Sequence, residues 1–262
     1  MIYPYLHQLF SDKKGQAVFT CFGPWHFLFL LVLLSCVLLG IMYFKRHPGA
    51  GKKIVGAAIN LAFGLYVADF FLMPFAYGKI DMEKLPFHMC TLMSILCFLS
   101  FHGIALERYK KQFAMLGLVS NLIYVLCPAG VEWYQIHPLS YRVVQTLAFH
   151  GAMSVYGIFS LAMGEIKLSW KNCRQELPVI AAVVLWALLG NLLYNGTAGD
   201  YSNFFNWFFV VRDPFYILHA EIAPYVMPFI MLIVIFVADM LLYLFYFAVQ
   251  KIIGYKKIVT SF

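Results

Sequence analysis

Leu85-Pro86-Phe87-His88-Met89-Cys90 closes a short charged loop, and the run that follows, PFHMCTLMSILCFLSFHGIAL (Pro86–Leu106), contains no Asp, Glu, Lys or Arg. A helix of that length crosses the hydrocarbon core of a bilayer, which is about 30 Å thick. Working outward, six further runs have the same character: Pro24–Tyr43, Ile54–Phe75, Phe113–Val131, Arg142–Met163, Leu177–Asn195 and Ile222–Phe247. The runs are continuous and lack the period-2 alternation of barrel strands. The chain is 63% hydrophobic and 12% charged, against about 45–50% and about 25% in soluble domains. The reading is an all-α, polytopic membrane protein with seven transmembrane helices in one multi-pass domain, 1–262. No cleavable signal peptide is evident, because the first run follows a polar Met1–Thr20 stretch.

Basic residues set the expected orientation, since cytoplasmic loops carry the Lys/Arg excess. Thirteen of the nineteen Lys and Arg fall in the loops before the second, fourth and sixth runs and in the tail. This places the N-terminus outside and the C-terminus in the cytoplasm. The same asymmetry, together with anionic lipid, accounts for the net charge of +7, so no nucleic-acid partner is called for. Cys21 and Cys127 both fall near the outer face, where a disulfide between them is conceivable. No cysteine spacing resembles a zinc site.

With this topology the membrane-embedded polar groups gather at the outer depth. Cys90 lies one turn into the third span, His150 about two turns into the fifth, and Asp69 in the outer half of the second. Asn191, Tyr194 and Asn195 end the sixth, and Arg212 sits in the last outer loop. Ionisable groups in a membrane are costly and mark paths or sites by default. A shared cavity open to the outer leaflet follows. On an ideal helix Cys90, Ser94 and Cys97 share one face, whereas His88 is about 200° from Cys90 and reads as a helix-end anchor. Arg142, Gln145, Thr146 and His150 form a polar stripe leading down the fifth span. Asp239, deep in the seventh span, reads as structural, and His26, His47, His102 and His137 read as interface residues.

Two of these stretches carry a resemblance. The Leu-Pro-Phe-His-Met-Cys opening of the third span, with Gln145-Thr146-Leu147-Ala148-Phe149-His150-Gly151 in the fifth, resembles the YwaF-like integral membrane family, over about Val55 to Phe247. These are bacterial multi-pass proteins related to a mammalian transmembrane acyltransferase of ether phospholipids. The resemblance implies a Cys90 nucleophile and a His150 general base in the cell membrane, a bacterial plasma membrane by that likeness. One departure is that Asp200-Tyr201 stands where the family tends to show an Asn-Tyr pair.

The expected function is acyl transfer from, or acyl-ester hydrolysis of, a membrane phospholipid or lysophospholipid, with no cofactor and no metal. Asp69 is placed to orient His150. Arg142 or Arg212 would hold a phosphate. Asn191, Asn195 or backbone N–H groups of the third span would stabilise an oxyanion, and His88, Ser94 and Gln145 complete the candidate lining. The alternatives are a small-molecule or proton-coupled transporter using Asp69 and His150, an uncharacterised membrane binding protein, and a metal site built from His88, Cys90 and His150. No inverted repeat supports transport.

Overall fold

A computed structural model describes residues 12–13, 17–77, 82–195, 205–214, 217–219 and 221–259; for 75–77, Glu83, Asn195 and 253–259 it describes the backbone alone. Among the described residues the structure is helical throughout, with no strand. Seven long helices follow in order: α1 (Pro24–Arg46), α2 (Gly51–Tyr77), α3 (Met89–Phe101), α4 (Lys110–Leu126), α5 (Tyr141–Ala162), α6 (Trp170–Asn195) and α7 (Ala223–Val259). Each corresponds to one apolar run.

Four of them, α1, α2, α6 and α7, are long and apolar enough to cross a membrane. The other three explain themselves. At thirteen residues, α3 is about 20 Å long. It starts three residues later than expected, because Pro86 and Phe87 form a turn and His88 is an extended N-cap. It ends early because Gly103 takes a left-handed φ of +67° just past its last turn. The fourth run splits at Cys127-Pro128, and a single helical turn, Ala129–Glu132, follows α4. Polar residues lower the hydropathy of α5, which is buried over most of its surface.

The chain divides into two compact units, Met1–Lys167 and Leu168–Phe262. In the first, α5 is the central helix, packed against α2, α4 and α1, while α3 packs on α4 and α2. Small residues let α4 and α5 approach closely. A Cβ on Gly157 would stand 2.6 Å from Leu118 Cβ, and one on Gly117 would stand 3.2 Å from Met153 Cε. By contrast α1 buries none of its most apolar stretch and presents Phe27, Leu31, Leu38 and Leu39 outward. So large an unbroken apolar face belongs against lipid. Pro24 sits at the first helical position of α1 and Lys45 and Arg46 in its last turn, where they suit the helix dipole.

In the second unit α6 and α7 pack on each other, and the turn Trp207–Phe209 packs on both. Phe208 and Phe209 hold left-handed φ values of 57° and 54°, a costly conformation for bulky residues. Asn191 and Asn206 hold the turn in place. Asn191 donates to Ala187 O (2.8 Å) and Trp207 O (3.1 Å) and accepts from the Trp207 N–H. Asn206 receives the backbone N–H groups of Val211 and Arg212.

Candidate functional site

The site grows from a small apolar cap in the first unit. Phe19, Val131, Ile136, Val143 and Leu147 form a buried cluster, with Phe29 and Tyr124 packed against it. His26, fully buried, pins the cap down. Its Nδ1 accepts the Phe22 N–H at 2.9 Å, so its Nε2 donates to Val125 O at 2.8 Å. The residue read as an interface histidine thus ties the start of α1 to the last turn of α4. Tyr124 is held beneath this cap and stacks on the His150 ring, 3.9 Å between centroids and 15° from parallel.

His150 is buried, with Nδ1 2.7 Å from Asn121 Oδ1. Asn121 Nδ2 donates to Gly117 O at 2.7 Å, which turns the amide oxygen toward the ring. An amide oxygen only accepts, so His150 Nδ1 carries the proton and Nε2 keeps its lone pair. Among the described residues no hydrogen bond occupies that nitrogen. Asn121 is a candidate residue the sequence reading missed. Its signal was available: it is the lone amide in the middle of the fourth apolar run, three residues from Tyr124 and so on one helix face with it.

Asp69 does not orient His150, as had been expected. Its Oδ1 accepts from Tyr141 OH at 2.7 Å, and its Oδ2 lies 2.9 Å from Lys84 Nζ. The expected similar depth on two helices did not translate into a shared face. Lys84, not singled out in the sequence, is the cation of the site, within electrostatic reach of His88, Cys90 and His150 alike. Tyr66 donates to Lys84 O at 3.1 Å and fixes that segment.

Cys90 is half-buried in the first turn of α3. Its sulfur lies against the backbone N–H groups of Cys90 and Thr91 and within electrostatic reach of Tyr66 and Tyr124. Cys90 and His150 therefore share Lys84 and Tyr124 as neighbours, but no hydrogen bond joins them. His88 belongs to this group too, since it acts electrostatically on His150. The helical-wheel argument that separated it from Cys90 fails, because His88 lies outside the helix.

The remaining candidates are dispersed. Ser94 is fully buried and donates to Thr91 O (2.8 Å), so its hydroxyl serves its own helix. Cys97 donates to Phe113 O on α4. Gln145 is buried, with its oxygen 3.4 Å from Thr146 Oγ1. Arg142 pairs with Asp12 (3.5 Å) and lies over the Tyr134 ring at 4.1 Å. Asn191 is not an oxyanion donor: both its amide hydrogens go to carbonyls of the second unit. Arg212 belongs to that unit as well, bonded through its backbone to Asn206. Asn195's side chain and Asp200-Tyr201 lie outside the described residues. No group of three His, Cys, Asp or Glu among the described residues is arranged to hold a metal ion. Cys21 and Cys127 are free thiols with sulfurs 4.0 Å apart. Burial, and then the Cys127 thiol beside it, push the Cys21 thiol up to about 11.

Four helices long and apolar enough to cross a membrane, and in the first unit a buried histidine with a tautomer set by its neighbours, define an integral membrane protein. The chain matches the TMEM164 family over residues 21–248 and belongs to that family. No curated protein and no solved structure matches it.

Proposed function

We propose that the chain is a lipid acyltransferase or acyl-ester hydrolase with Cys90 as nucleophile, His150 as base and Asn121 as the residue that positions the imidazole. In this reading all seven apolar runs cross the membrane, the N-terminus is outside, and the cavity holding Cys90 and His150 opens to the outer leaflet of a cell membrane. The placement beside YwaF-like bacterial proteins rests on the two sequence motifs alone. The observation that carries the function is the Gly117–Asn121–His150 chain of hydrogen bonds. It leaves an Nε2 lone pair uncommitted on a histidine that shares two neighbours with the Cys90 thiol.

The steps balance. His150 Nε2 takes the Cys90 proton. The thiolate attacks the ester carbonyl of a phospholipid, and the tetrahedral oxyanion collapses by expelling the lysolipid alkoxide. That alkoxide takes the proton from the imidazolium. A second lysolipid alcohol, or water, then attacks the thioester with His150 again as base, and the thiol is released. The N–H groups of Met89, Cys90 and Thr91 precede the first helical bond, Leu92 N–H to His88 O, and face the oxyanion as a helix N-terminus does. Substrate must draw Cys90 and Nε2 into contact, directly or through one water, because the resting structure leaves them unbonded.

The test is acyl transfer to a lysophospholipid, or fatty-acid release, by the full chain in vesicles containing acyl-labelled phospholipid. Wild type turns over; Cys90→Ala and His150→Ala do not. Full activity in Cys90→Ala overturns the proposal. Solute or proton flux abolished by Asp69→Asn would favour the transporter reading instead.

A further inference from the structure

The second unit buries a cluster that the acyl chemistry does not use. Glu176 on α6, and Asp239 and Tyr243 on α7, are fully buried, on helices apolar enough to cross a membrane. The Tyr243 hydroxyl donates to Glu176 Oε1. The Cys173 thiol donates to Asp239 Oδ2 at 3.9 Å. The other two oxygens, Glu176 Oε2 and Asp239 Oδ1, receive no N–H or O–H. Neither carboxyl has an ion-pair partner among the described residues. Yet the two carboxyls meet each other side chain to side chain.

Counting hydrogens decides what this arrangement is. Four carboxyl oxygens face two donors, the tyrosine hydroxyl and a weak thiol. Two ionised carboxylates have no hydrogen to offer one another, and like charges so close cannot both remain ionised without a cation. One added proton turns one carboxyl into a donor and joins the pair. We propose that Glu176 and Asp239 share a single proton and form a membrane-embedded proton-binding site in the second unit. Among the described residues the titratable or charged groups facing it are Cys173 and Tyr243, with Arg174 acting on Cys173. Arg212 and Asp213 lie at the far end of the helix pair, beyond Asn191, about 22 Å along α6 from Glu176.

The sign of the pH dependence follows. Above about pH 4 an unfolded carboxyl has released its proton, while the folded pair keeps one. Stability therefore falls as pH rises through the neutral range, because the folded state binds more protons. Glu176→Gln supplies the missing N–H permanently and removes that dependence.

The experiment uses the full chain in detergent. Thermal midpoints are followed against pH for wild type, Glu176→Gln and Asp239→Asn, in Na⁺, K⁺ and Ca²⁺ separately. Infrared spectra at neutral pH are recorded for the carboxylic-acid C=O band. A midpoint that falls with pH in wild type, flattens in both variants and ignores the cation supports the proposal. So does a carboxylic-acid band that Glu176→Gln abolishes. Equal slopes in all three proteins, absence of the band in wild type, or stabilisation by one added cation overturns it, the last by making the ligand a metal ion. None of these readouts depends on Cys90 or on lipid turnover.

Discussion

In the first unit a buried carboxylate, Asp69, faces a lysine and a tyrosine; in the second, Glu176 faces another carboxylate. Around Asp69 the charge is matched at 2.9 Å by Lys84, and the hydrogen bonds of Asn121 leave the Nε2 of His150 uncommitted among the described residues. Around Glu176 the donors run short, and a proton is needed before the pair can exist in a low-dielectric surrounding. A polar cluster with one spare lone pair is prepared to take a proton from a substrate or nucleophile. A cluster short of one hydrogen is prepared to bind a proton from solvent. The two regions share burial and differ in how their donors and acceptors balance.

The largest expected effect breaks the first region at its nucleophile. Cys90→Ala removes lipid turnover to background, and His150→Ala costs about 10²–10⁴-fold, with Glu176→Gln unchanged in the same assay. Next comes the packing that holds His150 against Asn121. Gly157→Val drives a side chain into Leu118, which already stands 2.6 Å from an ideal Cβ. It should cost about 1–3 kcal/mol, read as a lowered thermal midpoint and reduced active fraction. Asn121→Ala frees the imidazole to change tautomer. It should lower kcat per titrated active site about tenfold, or about 1.4 kcal/mol, with KM unchanged. A purely structural residue would reduce the number of active sites and leave kcat per site alone.

Smaller effects sharpen the contrast. Asp69→Asn leaves Lys84 unmatched beside Cys90, so alkylation of Cys90 should quicken about two- to fivefold, in keeping with the at most ~1 kcal/mol of a partly exposed pair. The smallest effect concerns a thiol outside both clusters. With its thiol pushed up to about 11, Cys21 should label slowly at neutral pH and faster with each unit of rising pH, since the thiolate is the reactive form. Mass mapping of labelled peptides reads both thiols in one experiment.

The helices were legible because apolar length is a local property. Tyr141–Ala162 lies one residue from the expected 142–163. The start of α3 was not legible: Pro86 looked like the first helical residue and instead stands in a turn, which moved His88 out of the helix and undid its assigned direction. The direction each side chain faces was read badly: Asp69 faces Lys84 and His150 faces Asn121. Asn121 and Glu176 escaped notice because Asn121 follows Ser120 in an otherwise apolar run, Glu176 ends the polar stretch Arg174-Gln175-Glu176 that reads as a loop, and the meaning of each depends on a partner many residues away in sequence. Polar residues announce that they need partners; only packing says which.

The central claim is that Cys90 carries an acyl group during turnover. Intact mass of the full chain purified from membranes, with and without hydroxylamine, tests it most directly. The account predicts an adduct of acyl mass on Cys90 that hydroxylamine removes, absent in Cys90→Ala and accumulating when no acceptor lipid is present. An unmodified Cys90 under turnover conditions in which acyl transfer is measured would contradict it.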